Sequence, residues 1–124
     1  MPIIALPSVG EAGLNATLSL RFGRCDNITI VTMEDKNIEA VRVIPIQKDK
    51  ALGNLGIYIA NIIKENAVSD VIVGYIGPKA YQALASREIK IFEIHGNDLV
   101  IKNIIELFLQ EKLDLLTESN AHLR

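Results

Sequence analysis

The sequence predicts a mixed α/β domain, and three observations carry that expectation. Short apolar runs at residues 2–7, 28–33, 71–77 and 89–94 lack a helical period and read as strands. In the first half, two β-rich runs are separated by a charged turn, which predicts an antiparallel hairpin. In the second half strand-like and helix-like segments alternate, which predicts parallel pairing through right-handed crossovers. The order β-β-β-α-β-α-β-α closes most economically as a mixed five-stranded sheet covered by helices.

Each element has its own signal. PIIALP (2–7) is an apolar run closed by proline and reads as a buried first strand. A glycine-rich polar loop follows, from Ser8 to about Asn27. ITIVTM (28–33) and IEAVRVI (38–44) flank EDKN; the second run alternates apolar and charged residues and reads as half exposed. After PIQKDKALGN the period changes, with Leu52, Leu55, Ile59, Ile62 and Ile63 at helical spacing, giving one apolar stripe from about residue 54 to 66. SDVIVGYIG is a strand, PKAYQALASRE a helix with Pro78 in its first turn, and IKIFEI a further strand. The segment 97–113 puts Ile101, Ile104, Ile105 and Phe108 on one helical face, with Asn97 or Asp98 as its cap. Residues 114–124 are expected to form a loose tail behind a single domain at 1–113, since no repeat, linker or low-complexity segment interrupts the chain.

Composition narrows the function classes. The 124 residues are half apolar and 23% charged, the balance of one folded domain with a real core. A net charge of -2, no tryptophan and few aromatics speak against nucleic acid as the main partner. No apolar run is long enough to span a bilayer. One cysteine cannot close an internal disulfide, and no basic-then-apolar leader opens the chain, so a cytoplasmic protein is expected.

Three loops could carry chemistry. LRFGRC brings Arg21, Arg24 and Cys25 around Gly23, a set suited to an anion because guanidinium groups are forked, permanently charged donors. The same residues also read as solvated surface arginines and a packed cysteine. KDKALGNLG (48–56) leads into a helix; Gly53 and Gly56 could expose amides there, or merely connect and cap. It is neither a Walker loop nor a dinucleotide fingerprint. GYIGPKA (74–80) is a strand-to-helix turn where open α/β sheets collect ligands, with Lys79 adding charge, although a plain turn explains it equally. Conventional catalysis finds little support: His95 and His122 have no helical metal-pair spacing and no nucleophile elbow is present. The first strand carries no carboxylate for a metal-dependent nuclease.

Taken together, the strand ending ALP, S..LRFGRC, the loop before GIYIANII, DVIVGYIGPKAYQAL and IKIFEI resemble the dinitrogenase iron-molybdenum cofactor biosynthesis family. That family includes NifX, the core of NafY and the C-terminal domain of NifB. The resemblance covers residues 1 to about 113; Phe22-Gly23-Arg24 and Ile76-Gly77-Pro78 with Ala80 are its most specific pieces.

The resemblance implies a ribonuclease H-like three-layer fold. It also implies a non-catalytic role in binding or carrying an anionic metal–sulfur cluster or its precursor, similar to the iron–molybdenum cofactor. Position by position, Phe22, Gly23 and Arg24 match the family's Phe-Gly-Arg, Gly53 and Gly56 fall in its glycine-rich loop, and Gly77 and Pro78 match its Gly-Pro turn. With Arg21, Asn54 and Lys79 these residues form the expected cofactor-binding set. Where family members often carry histidine, this chain has Arg21 and Ala51 or Leu52, which leaves Cys25 as the soft ligand for an iron- or molybdenum-containing sulfide cluster. The expected partners are the anionic cluster and a delivery or acceptor protein. A regulatory or interaction domain binding a partner or a small organic anion is the second reading, and a hydrolase the third.

Overall fold

The central β-rich runs become strands because both faces of the sheet are covered there, so that successive side chains are buried in turn on opposite sides. A computed structural model describes residues 2–11, 13–50, 54–96 and 99–121. Its elements are β1 (Ile3–Val9), β2 (Thr17–Leu18), β3 (Asn27–Glu34), β4 (Asn37–Pro45), α1 (Leu55–Lys64), β5 (Asp70–Val73), α2 (Pro78–Ala85), β6 (Lys90–Glu93), α3 (Ile101–Leu109) and β7 (Asp114–Leu115). A 3-10 turn at Phe22–Arg24 joins β2 to β3.

The sheet runs β4-β3-β1-β5-β6-β7, with β2 paired to the end of β1. β1 pairs parallel with β5 and β5 with β6, whereas β3 is antiparallel to both β1 and β4. The mixed α/β sheet with three helices is as expected, but it has seven strands among the described residues, not five. The two additional strands, β2 and β7, are two residues long, too short to produce a periodic pattern in sequence. β1 also continues past Pro7, because Ser8 and Val9 find partners on β2.

Alternation sorts the core into two layers. Ala5, Ile28, Ile30, Val71, Val73 and Ile91 face α1 and α2, where Ile59, Ala60, Ile63, Ala80 and Leu84 close the layer. Ile4, Leu6, Val31, Met33 and Ile72 face α3, through Ile101, Ile104 and Ile105. The turn between β3 and β4 places Asp35 and Lys36 at φ 51° and 66°, the left-handed pair of a tight hairpin. β4 is the outer strand and is largely exposed, more so than the half-exposed strand expected.

Two expectations about the C-terminal third change. The expected cap residues Asn97 and Asp98 lie outside the described residues. α3 begins at Ile101 behind Val100, which makes no side-chain cap, and its first amides are taken by main-chain carbonyls. Ile101 and Lys102 donate to Ala16 and Leu14 at 2.9 Å each. The helix stops at Leu109 instead of 113, where Glu111 at φ 57° turns the chain left-handed.

The expected loose tail is corrected for residues 114–121. β7 adds to the edge of β6, the Leu116 amide donates to the Ile91 carbonyl, and Asn120 is 1% exposed. His122 lies outside the described residues.

Candidate functional site

Three loops that are distant in sequence meet beyond the C-terminal end of β5, two of them tied by main-chain hydrogen bonds and the third packed against them at the start of α1. The Tyr75 amide donates to the Leu20 carbonyl at 2.8 Å and the Phe22 amide donates to the Tyr75 carbonyl at 2.9 Å, so LRF docks beside GYI as a short parallel pairing. Phe22 anchors the turn by burying its ring in the core, 2% exposed. The turn packs against α1 at Gly23, where a β-carbon would make ordinary van der Waals contact, 3.6 Å from the Gly56 amide nitrogen. A β-carbon on Gly56 would in turn lie 3.5 Å from the Ala80 β-carbon, so the N-termini of α1 and α2 sit side by side.

The resulting cleft measures about 400 Å³. It is lined by Arg21, Phe22, Gly23, Arg24, Asn54, Gly56, Tyr75, Gly77, Pro78, Lys79, Ala80 and Ala121. Arg21, Arg24 and Lys79 supply three cations, and among the described residues no carboxylate contributes to the lining. None of the three pairs with an acidic group among the described residues, where the ion pairs are Lys48–Asp26 and His95–Glu93. Asn54 caps α1 by accepting from the Ile57 amide at 3.0 Å. α2 has no side-chain cap and opens with Gly77 and Pro78, which leaves the Lys79 and Ala80 amides without an intrahelical acceptor at the positive end of the helix dipole. Such an arrangement holds anions by charge and by oriented amides.

Of the residues expected from sequence, Arg21, Phe22, Gly23, Arg24, Asn54, Gly56, Gly77, Pro78 and Lys79 are brought together, and Gly53 lies outside the described residues, as do Ala51 and Leu52. Cys25 is not with them. It is fully buried in the α1/α2 layer, where desolvation pushes its thiol from 9.0 up to about 12. Cys25 packs in this core layer directly after the 3-10 turn and is not part of the cleft lining, so the structure does not place it as a soft ligand there. Among the described residues, no three His, Cys, Asp or Glu side chains gather as a ligand set.

Tyr75 and Ala121 were not anticipated. Tyr75 lies inside the GYIGP turn and was legible as part of it. His95 packs its ring against that of Tyr75 at a tilt of 40°, with centroids 4.8 Å apart, and hydrogen-bonds Glu93 at 2.7 Å. Ala121 had no signal, because only the return of the C-terminal segment across the sheet brings it to the cleft.

Residues 3–111 match the family described as Nitro_FeMo-Co, dinitrogenase iron-molybdenum cofactor. The uncharacterized protein MJ0580 of Methanocaldococcus jannaschii is 33% identical over 100 residues, which span 81% of this chain and 83% of that protein. Among solved structures, the apo form of the orange protein from Desulfovibrio gigas superposes with a TM-score of 0.84 at 26% identity, covering 97% of each chain. Among the described residues no helix is long and apolar enough to cross a membrane.

Proposed function

The chain belongs to the dinitrogenase iron-molybdenum cofactor family, as a small NifX-like member, and from that premise we propose that its cleft binds and carries an anionic metal–sulfur cluster or cluster precursor without transforming it. The carrying observation is the charge of the cleft: Arg21, Arg24 and Lys79 surround a space of about 400 Å³ that no carboxylate of the described residues lines. Unpaired cations at a site flanked by two helix N-termini favour a multiply charged anion over a neutral metabolite. The cargo is held from outside, by guanidinium, ammonium and amide donors to its sulfur or oxygen atoms, since Cys25 faces the core. Such outer-sphere holding is suited to cargo that must be released intact to an acceptor protein.

We read the scaffold as ribonuclease H-like, on the support of five longer strands in the order β4-β3-β1-β5-β6 with only β3 running against the others. The test is anaerobic incubation of the apo-protein with tetrathiomolybdate, or with iron, molybdate and sulfide, followed by gel filtration and metal analysis of the protein peak. Wild type is expected to co-elute with metal and a charge-transfer band, and Arg24→Glu to lose both. A colourless, metal-free wild-type peak under every mixture would overturn the reading.

A further inference from the structure

Tyr75 is held from two sides. Its own amide and carbonyl are taken by the cationic loop, at Leu20 and Phe22. The groups on either side of it go to one side chain of the C-terminal segment. Asn120 accepts from the Ile76 amide through Oδ1 at 2.7 Å and donates through Nδ2 to the Gly74 carbonyl at 2.9 Å. Nδ2 also donates to Glu93 Oε1 at 3.2 Å, the oxygen that His95 contacts. The Asn120 and Ala121 amides complete the clasp by donating to the Ile76 carbonyl at 3.2 Å each. One asparagine thus pairs, as a neighbouring strand would, with backbone groups on either side of Tyr75 beyond the end of β5. The segment is fastened further back by the Tyr81 hydroxyl, which donates to the Leu116 carbonyl at 3.2 Å.

The clasped turn carries the cleft. Gly77 and Pro78 directly follow Ile76 and open α2, so the direction in which the Lys79 and Ala80 amides point depends on how Gly74–Ile76 is held. We infer that the C-terminal segment from Leu116 to Ala121 is a positioning strap of the anion cleft, with Asn120 as the positioning residue that sets Tyr75 and the N-terminus of α2. The strap lies beyond the span matched to the family and rests, as a ligand-site element, on the cluster-binding reading above. Because strap and anion depend on the same turn, each strengthens the other's hold, and the coupling is reciprocal.

The test uses the full chain, with tetrathiomolybdate as the visible probe. Asn120→Ala, at a temperature where circular dichroism shows it folded, is expected to bind the probe about tenfold more weakly than wild type, within the usual range of such couplings. In wild type, saturating probe is expected to slow hydrogen exchange at the Asn120 and Ala121 amides by a similar factor, a measurement that needs no variant to fold. Unchanged affinity in the folded variant, or unchanged exchange in the loaded wild type, would overturn the inference. If wild type binds no probe, the cluster reading falls and the strap is read in the unliganded protein instead. Asn120→Ala should then shift the amide resonances of Phe22–Arg24 and Lys79–Ala80, whereas shifts confined to residues 74–76 and the strap would reduce Asn120 to a local structural bond.

Discussion

A β-carbon on Gly74 would stand 2.7 Å from the carbonyl oxygen of Leu20, closer than real contacts allow. The backbones touch there because the Leu20 carbonyl accepts from the neighbouring Tyr75 amide. Gly74→Ala must therefore push the cationic loop from the sheet, with a stability loss of about 1–3 kcal/mol from overpacking. Urea denaturation reads the loss, and a wild-type midpoint would show that the two backbones separate freely.

Cys25 should be inert. With its thiol raised from 9.0 to about 12 by burial, the folded protein holds almost no thiolate at pH 8. Reaction with a disulfide reagent is expected only as fast as the protein opens, and promptly in denaturant. The shift also has a sign for stability. The unfolded thiol ionises near 9.0 and the folded one near 12, so the contribution is fully present below pH 9 and gone by about pH 12. Across that window the stability of wild type should fall by about 1.4 kcal/mol per pH unit more than that of Cys25→Ala.

Anion binding should be electrostatic and therefore salt-sensitive. Raising ionic strength from about 0.01 to about 0.15 M shortens the screening length from about 30 to about 8 Å, and affinity for tetrathiomolybdate should drop accordingly. Lys79→Glu, which puts a carboxylate in the lining beside Arg21 and Arg24, should weaken binding about tenfold or more, equivalent to about 1.4 kcal/mol. A salt-independent dissociation constant would mean the cations do not face the ligand.

Asp26 links the glycine-rich loop to the sheet. Its carboxylate accepts from the Gly10 amide at 3.0 Å and pairs with Lys48 at 3.2 Å, and these contacts, the amide first, hold its pKa below the usual 3.8. A lowered folded value means stability present above about pH 3.8 and lost as pH falls further. Asp26→Asn should flatten that acid limb, with an effect under about 1 kcal/mol for so exposed a pair.

Asn54→Ala removes the acceptor for the Ile57 amide at the start of α1 and should cost about 1 kcal/mol, measured by thermal denaturation. Since Asn54 also lines the cleft, probe affinity should drop in the same variant.

Where the chain is periodic, the sequence by itself determined the structure. The stripes of α1 and α3, the apolar runs of β1, β3 and β5 and the turn residues Asp35, Lys36, Gly77 and Pro78 are local signals, and burial on two faces requires no others. The cationic loop and the glycine turn were legible as candidates only, because surface arginines and a plain strand-to-helix turn read the same in sequence; the fold brings the two together around one cleft.

Tertiary structure alone decided the rest. β2 and β7 exist only because a partner strand passes beside them, Cys25 faces the core because the turn at Phe22–Arg24 rotates it there, and Asn120 is buried because the end of β5 has unpaired backbone to satisfy. Each depends on contacts between residues far apart in the chain, and a hydrogen-bonding need created by folding leaves no period in the sequence that meets it.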